Sequence, residues 1–71
     1  MEKVKINTDY IKLDQFLKFT GIVEMGSYAK GIIAEGKIKV NGNIETQRGK
    51  KLRKGDIVEA FGKFYEIIKD K

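Results

Sequence analysis

Hydrophobic and polar residues alternate with two different periods along this chain. Between residues 13 and 35 apolar positions recur every third or fourth residue, which predicts helices. At residues 3–7, and again after residue 36, they recur every second residue, which predicts strands. The expected order is a strand, two helices and then an antiparallel meander of strands.

Local signals place the ends of these elements. The first helix is predicted at 13–20 and ends at Gly21, and the second is predicted at 27–35. We expect Ser27 to be the N-cap of the second helix and Gly36 to end it in the left-handed conformation. The pattern indicates an α+β fold in which a two-helix hairpin packs on a small curved antiparallel sheet.

The second half of the chain is predicted to form hairpins. Lysines alternate with apolar residues at 37–40, and Asn41-Gly42 follows, a pair that favours the positive φ angles of a type I′ turn. Two further strands, 57–61 and 64–68, are predicted around Gly62-Lys63.

Length and composition predict one small domain covering residues 1–71. Because 41% of the residues are hydrophobic, the chain can form a core despite its charge. We expect its four phenylalanines to lie in that core: Phe16, Phe19, Phe61 and Phe64. The absence of cysteine suits the reducing cytoplasm, and no apolar run is long enough for a membrane span.

The net charge of +5 comes from one segment of the chain. Residues 1–36 are neutral overall and residues 55–71 carry −1, whereas residues 37–54 hold seven basic residues against Glu45 alone, a net charge of +6. Crowding like charges costs self-repulsion, so the segment indicates either a polyanionic partner such as nucleic acid or a solvated surface that keeps the protein soluble, and charge alone does not separate the two. We expect these cations to converge on one side of the folded molecule.

Few residues could support catalysis or bind a cofactor. Residues 31–37 fit most of a P-loop pattern, but Ile38 stands where the magnesium-binding Ser or Thr is required, and a helix precedes the motif where a strand is needed. The chain has no cysteine or histidine, its one serine has a capping role, and its carboxylates show no metal-ligand spacing. We therefore expect no catalytic site, metal, cofactor or small-molecule substrate.

The motif order of the chain resembles a known RNA-binding family. KLDQFL at 12–17, AKGIIAEGKIKVNG at 29–42 and LRKGDIV at 52–58 are similar to the S-four RNA-binding domain, also called the alpha-L motif. The resemblance spans about residues 12–60 and is strongest to the stand-alone bacterial YaaA/YbcJ-like group, without an attached catalytic domain. It implies that the two helices and the following hairpin form an RNA-binding face.

Position by position, the resemblance and the basic segment together predict the interface. The residues expected on it are Lys12, Tyr28, Lys30, Lys37, Lys39, Asn41, Arg48, Lys50, Lys51 and Arg53. Tyr28 is either a stacking platform for a base or an amphipathic residue at the rim of the core. Met25-Gly26 stands where many members have Ser-Arg, and Tyr28 or Lys30 is a candidate to replace that missing arginine.

The leading prediction is a monomeric, cytoplasmic, non-enzymatic protein that binds structured RNA, namely ribosomal RNA or ribosomal particles, in ribosome assembly or maintenance. Backbone phosphates would supply the affinity and RNA shape the selectivity. The alternative is an adaptor whose basic face binds an acidic protein. Binding to anionic membranes is a weaker third reading, since the predicted helices are short and their polar faces are not rich in lysine.

Overall fold

Seven strands and two helices make up the part of the chain that the computed structural model describes, residues 1–69. In chain order the elements are β1 (Glu2–Ile6), β2 (Ile11–Lys12), α1 (Leu13–Phe19), α2 (Gly26–Ala34), β3 (Ile38–Val40), β4 (Asn43–Ile44), β5 (Lys51–Leu52), β6 (Ile57–Ala60) and β7 (Lys63–Lys69). The α+β class and the helical hairpin are as predicted.

Five strands form one sheet in the order β1-β7-β6-β3-β4. β1 runs parallel to β7, while the other neighbouring strands are antiparallel, so the sheet is mixed. The prediction of a wholly antiparallel meander is wrong in this respect, and also because β6 pairs with β3 instead of β4. After the two residues of β4 the chain leaves the sheet, forms β5 against β2, and returns along the free side of β3.

One face of this sheet and the inner sides of both helices enclose a single hydrophobic core. The strands contribute Val4, Ile6, Ile38, Val40, Val58, Ala60, Tyr65 and Ile67, and the helices contribute Leu13, Phe16, Leu17, Ala29 and Ile33. The strand residues alternate with exposed or half-buried neighbours, as expected for a sheet covered on one side. Across the two layers, the Phe16 and Tyr65 rings pack edge to face with centroids 6.0 Å apart.

Only one of the four phenylalanines lies in the core. Phe16 is fully buried, whereas Phe19, Phe61 and Phe64 are 62%, 62% and 45% exposed, so the prediction is wrong for these three. Phe19 lies about 120° around the helix from Leu13, at the 100° per residue of an α-helix, and so leaves the buried stripe. Phe64 faces away from the core because its neighbour Tyr65 faces inward.

The helix boundaries match the predictions except at the start of α2. Gly21 and Gly36 follow the two helices with φ of 80° and 77°, as expected for glycines that end a helix. α2 begins at Gly26, however, so Ser27 lies inside the helix and the prediction that it is the N-cap is wrong. The cap is Met25, which is extended and makes no side-chain capping bond, and its carbonyl accepts from Tyr28 and Ala29. Neither helix in the described residues is long and apolar enough to cross a membrane.

Two hairpins turn on paired residues with positive φ. Asn41 and Gly42 have φ of 52° and 86° between β3 and β4, which confirms the predicted turn. Between β6 and β7 the turn residues are Phe61 and Gly62, with φ of 53° and 80°, one position earlier than predicted. A bulky side chain is unfavourable in this conformation, which is why the sequence pattern did not indicate Phe61 as a turn residue.

Candidate nucleic-acid interface

The start of α1 is held by the loop that carries half of the basic segment. Lys12, which precedes the helix, makes no side-chain capping bond. Instead, the backbone N–H groups of Leu13 and Asp14 donate to the carbonyls of Lys50 and Arg48 at 2.8 and 3.1 Å. These bonds satisfy helix N–H groups that would otherwise lack a partner, and they fix the backbone of the basic loop against the helix.

The two-stranded sheet of β2 and β5 brings Lys12, Lys51 and Arg53 onto one face. In its register Ile11 pairs with Leu52, and Leu52 is fully buried. Lys12 pairs with Lys51, and both of these lysines are exposed. Because side chains alternate along a strand, the residues on either side of the Ile11–Leu52 pair face outward.

An aromatic ring lies among these cations. The Nζ atom of Lys51 lies 4.8 Å from the centroid of the Tyr10 ring, and the Cζ atom of Arg53 lies 5.7 Å from it. Both distances are within the range of a cation–π interaction. Tyr10, Lys12, Lys51 and Arg53 are called the Tyr10 cluster below.

The Tyr10 cluster places like charges directly opposite each other. Lys12 and Lys51 are cross-strand neighbours, a pairing that destabilises a sheet, and Arg53 follows two residues later on the same face. The Tyr10 ring offsets part of this repulsion through its negative face. An arrangement that concentrates positive charge at a cost in stability is suited to a polyanion.

Asp9, which precedes Tyr10 in the chain, is an acid beside the Tyr10 cluster. Its Oδ1 atom accepts a hydrogen bond from Lys69 Nζ at 2.8 Å. This hydrogen bond and the charge of Lys69, with a smaller contribution from Arg53, lower the pKa of Asp9 below its usual value. Lys69 is therefore the main charge partner of Asp9, and Arg53 is a weaker one.

The first half of the basic segment lies elsewhere. Lys39 points outward from the sheet, on the face opposite the core, with Glu59 and Ile44 as its cross-strand neighbours. Lys37 Nζ lies 3.8 Å from a carboxylate oxygen of Glu35, and both side chains are more than half exposed. The structure thus separates Lys39, on the outer face of the sheet, from the Tyr10 cluster and its adjoining loop, so the prediction that all of these cations converge on one side is wrong for Lys39.

Asn41 is engaged within the fold. Its Oδ1 atom accepts from the Ile57 backbone N–H at 2.9 Å, and its Nδ2 atom donates to Asp56 Oδ1 at 3.1 Å. The other carboxylate oxygen of Asp56 accepts from the Arg53 backbone N–H at 2.8 Å. These bonds join the β3–β4 turn to the turn before β6, so a contact between Asn41 and RNA stays a prediction beside this structural role.

The remaining predicted residues are exposed at two places. Tyr28 and Lys30 lie on the outer side of α2, and the 59% exposure of Tyr28 leaves its ring open to solvent. Arg48 and Lys50 lie on the loop beside the start of α1. Their contacts with RNA, like those of the other predicted residues, stay predictions.

The sequence pattern did not indicate that Tyr10 belongs to this site. Two-residue strands are too short to show a period, and β2 and β5 are both of this length. A usable signal was nevertheless present, because Tyr10-Ile11-Lys12 and Lys51-Leu52-Arg53 each place one apolar residue between two polar or charged ones. Among residues 1–69 there is no group of three or more acidic side chains placed to hold a metal ion.

Comparisons with known proteins show what this chain is similar to. A family model described as the S4 domain matches residues 4–68, a longer span than the 12–60 of the sequence resemblance. A Bacillus subtilis (strain 168) protein described as the probable ribosome maturation protein RlbA is 40% identical over 66 residues, covering 90% of this chain and 93% of that protein. The putative RNA-binding protein YbcJ of Escherichia coli (strain K12) is 36% identical over 59 residues, covering 83% of this chain and 84% of YbcJ.

A solved structure shows the same architecture. The solution structure of E. coli YbcJ, described as revealing an alpha-L motif involved in RNA binding, matches with a TM-score of 0.72 and 32% sequence identity. The match covers 96% of this chain and 87% of YbcJ. With a family model that matches nearly the whole chain, two relatives above 30% identity and a shared fold, the chain belongs to the S4, or S-four, domain family.

Proposed function

We propose that this chain is a non-enzymatic RNA-binding protein that recognises structured ribosomal RNA during ribosome assembly or maintenance. It acts in the cytoplasm, as a monomer and as a single domain. The observation that carries the proposal is the Tyr10 cluster, in which Lys12 and Lys51 stand directly opposite each other with Arg53 beside them. The descriptions of the relatives, ribosome maturation and RNA binding, support the same partner.

In this proposal the RNA backbone lies along the Tyr10 cluster and the loop beside the start of α1. Five cations are then available for phosphates: Lys12, Arg48, Lys50, Lys51 and Arg53. Lysine contacts phosphate as a mobile point charge, and arginine can bind it through two nitrogens. Tyr10 keeps Lys51 and Arg53 close together before the RNA arrives, so less conformational entropy is lost on binding.

The salt dependence of binding to labelled ribosomal RNA tests this surface. If five phosphates are neutralised, log K should fall with log salt at a slope of about −3.5 to −4.5. Lys51→Gln should flatten the slope by about one unit. Lys63→Gln is the matched control, because Lys63 is an exposed lysine in the β6–β7 hairpin, and it should leave the slope unchanged. An affinity that does not depend on salt would contradict the proposal, as would equal effects of the two variants.

The Tyr10 ring can be tested separately from charge. Tyr10→Leu removes the ring but no charge, so the salt slope should stay the same. Affinity should fall by at most about 5-fold, because the ring only positions the two cations and the full energy of an exposed cation–π contact is the upper limit of that effect. Lys39→Gln shows whether the outer face of the sheet also takes part, since it should change the slope only if RNA reaches that face.

An acidic protein partner would produce similar salt dependence, so a second measurement must separate the two functions. The protein should be purified from cells at low salt, and the 260 nm absorbance that accompanies it measured before and after nuclease treatment. RNA binding predicts that nuclease removes this absorbance. A partner that stays bound after nuclease, with no nucleic acid in the untreated sample, would favour the adaptor function instead.

A further inference from the structure

Phe19 is an exposed aromatic side chain at the end of α1. The residue is 62% exposed, although burying a phenylalanine stabilises a fold. Phe16, one turn earlier, is fully buried in the core. The fold therefore does not need the Phe19 ring in the way that it needs Phe16.

Two open recesses lie at this ring and share it as a wall. The first, of about 250 Å³, is lined by Lys5, Ile6, Asn7, Thr8, Ile11 and Phe19. The second is lined by Ile11, Gln15, Lys18 and Phe19. Both recesses are open to solvent, so they suit a flat group placed against the ring better than a ligand that must be enclosed.

The chemistry around the ring favours an anionic, hydrogen-bonding partner. The two linings contain two lysines and no carboxylate. They also contain side-chain amides from Asn7 and Gln15, each of which can both donate and accept a hydrogen bond. A mainly apolar peptide would leave both the lysines and the amides without a partner.

These recesses are connected to the proposed RNA-binding surface through Ile11. Ile11 lines both recesses and lies between Tyr10 and Lys12 in the chain, but the alternation of side chains along β2 turns it away from these two residues. An RNA that contacts both the Tyr10 cluster and Phe19 must therefore pass the edge of this small sheet, whose strands are two residues long.

We propose that Phe19 is a stacking platform for one unpaired nucleobase. The base lies flat on the ring, the amide of Asn7 or Gln15 binds its edge, and Lys5 and Lys18 contact the phosphates on either side. Structured RNA presents such bases in loops and bulges, and proteins commonly bind them by stacking on aromatic side chains. This inference rests on the proposed function and adds to it the class of RNA element, a helix with an unpaired nucleotide.

The test compares two RNA probes of equal length: a hairpin with a fully paired stem, and the same hairpin with a three-nucleotide bulge. Because every base has a π face, stacking tolerates sequence and the natural target is not needed. Wild-type protein should bind the bulged hairpin more tightly than the paired one. Phe19→Ala should weaken binding to the bulged hairpin by about 5- to 150-fold, the range for loss of one base–aromatic stack, and leave the paired hairpin nearly unchanged.

Further variants separate stacking from general apolar contact. Phe19→Leu keeps an apolar side chain and should still lose the preference for the bulge, whereas Phe19→Tyr should keep it. Phe64→Leu is the matched control, because Phe64 is also exposed but faces out from the sheet, and it should keep the preference. Thermal unfolding should show that all four variants fold.

Each outcome has a distinct meaning. If wild-type protein binds neither hairpin at low salt, the proposed function fails and this inference fails with it. If it binds both and Phe19→Leu keeps the wild-type preference, the RNA-binding function stands and the stacking platform is refuted. The platform is equally refuted if Phe19→Ala leaves both affinities intact but abolishes association with a protein.

Discussion

Asn41 offers the sharpest test of how the fold holds the basic loop in place. Its side chain links the β3–β4 turn to the turn before β6, through one bond to the Ile57 N–H and one to the Asp56 carboxylate. Its backbone also has a φ of 52°, a conformation that asparagine tolerates better than alanine does. Replacing Asn41 therefore removes two hydrogen bonds and, depending on the new residue, also strains the backbone.

The two contributions can be separated by choosing two substitutions. Each bond is worth about 0.5–1.5 kcal/mol, and exposure at this site puts the pair near the lower end, about 1–2 kcal/mol. Alanine in the left-handed conformation costs about 1 kcal/mol more, whereas glycine does not. We therefore expect Asn41→Gly to destabilise the protein by about 1–2 kcal/mol and Asn41→Ala by about 2–3 kcal/mol. For a domain of this size the alanine variant should lower Tm by about 10–20 °C.

Urea unfolding followed by circular dichroism gives the free energies directly. Asn43→Ala is the control, because Asn43 makes only a 3.5 Å contact with the Asn41 carbonyl and should cost less than about 0.5 kcal/mol. Asp56→Ala in the Asn41→Gly background should cost less than Asp56→Ala alone, since the bond between the two residues is already lost. Wild-type stability in Asn41→Gly, or strict additivity with Asp56→Ala, would refute this reasoning.

Three further predictions concern stability. Gly31→Ala should raise the free energy of unfolding by about 0.5–1 kcal/mol in urea titration, because Gly31 lies inside α2 with open space where a Cβ would stand. Phe61→Asn should raise it by about 1 kcal/mol in the same titration, by relieving the positive φ of a bulky residue; no gain would show that the turn is not strained. Lys69 lowers the pKa of Asp9 in the folded state, so the stabilisation is present above the unfolded pKa of about 3.9 and is lost as pH falls through the folded pKa. Asp9→Asn should therefore show a shallower decline of Tm below about pH 4 than the wild type.

Local sequence signals predicted the elements that depend on residues close together in the chain. The spacing of apolar residues predicted α1, Gly36 predicted the end of α2, and Asn41-Gly42 predicted the turn between β3 and β4. The structure has all three. The predicted start of α2 was wrong. Ser27 is a favourable capping residue in general, but here Met25 takes the cap position without a side-chain bond. The parallel pairing of β1 with β7 was also missed, since it joins the two ends of the described chain and no local pattern encodes it.

The sequence predicted which charged residues belong to the candidate site but not how they are arranged. The sequence identifies Lys51 and Arg53 as cations, but their shared face with Lys12 depends on the pairing of two very short strands. The role of Tyr10 depends on the same pairing. Lys39 shows the converse, because it belongs to the same run of charges along the chain and yet faces out from the sheet beside Glu59.

The bonds of Asp56 explain how a family motif and the proposed RNA-binding surface can lie in one short segment. Asn41 and Asp56 belong to the Val-Asn-Gly and Gly-Asp sequences that carry the resemblance, and their side chains bond to each other. Asp56 also holds the Arg53 backbone, so the motif fixes the loop from which Arg53 reaches the Tyr10 ring. None of these bonds requires a particular side chain at Arg53, since Asp56 binds only its backbone. The motif can therefore keep the loop in place while the side chains on it determine which RNA is bound, and substitutions at Asn41 should affect stability before they affect selectivity.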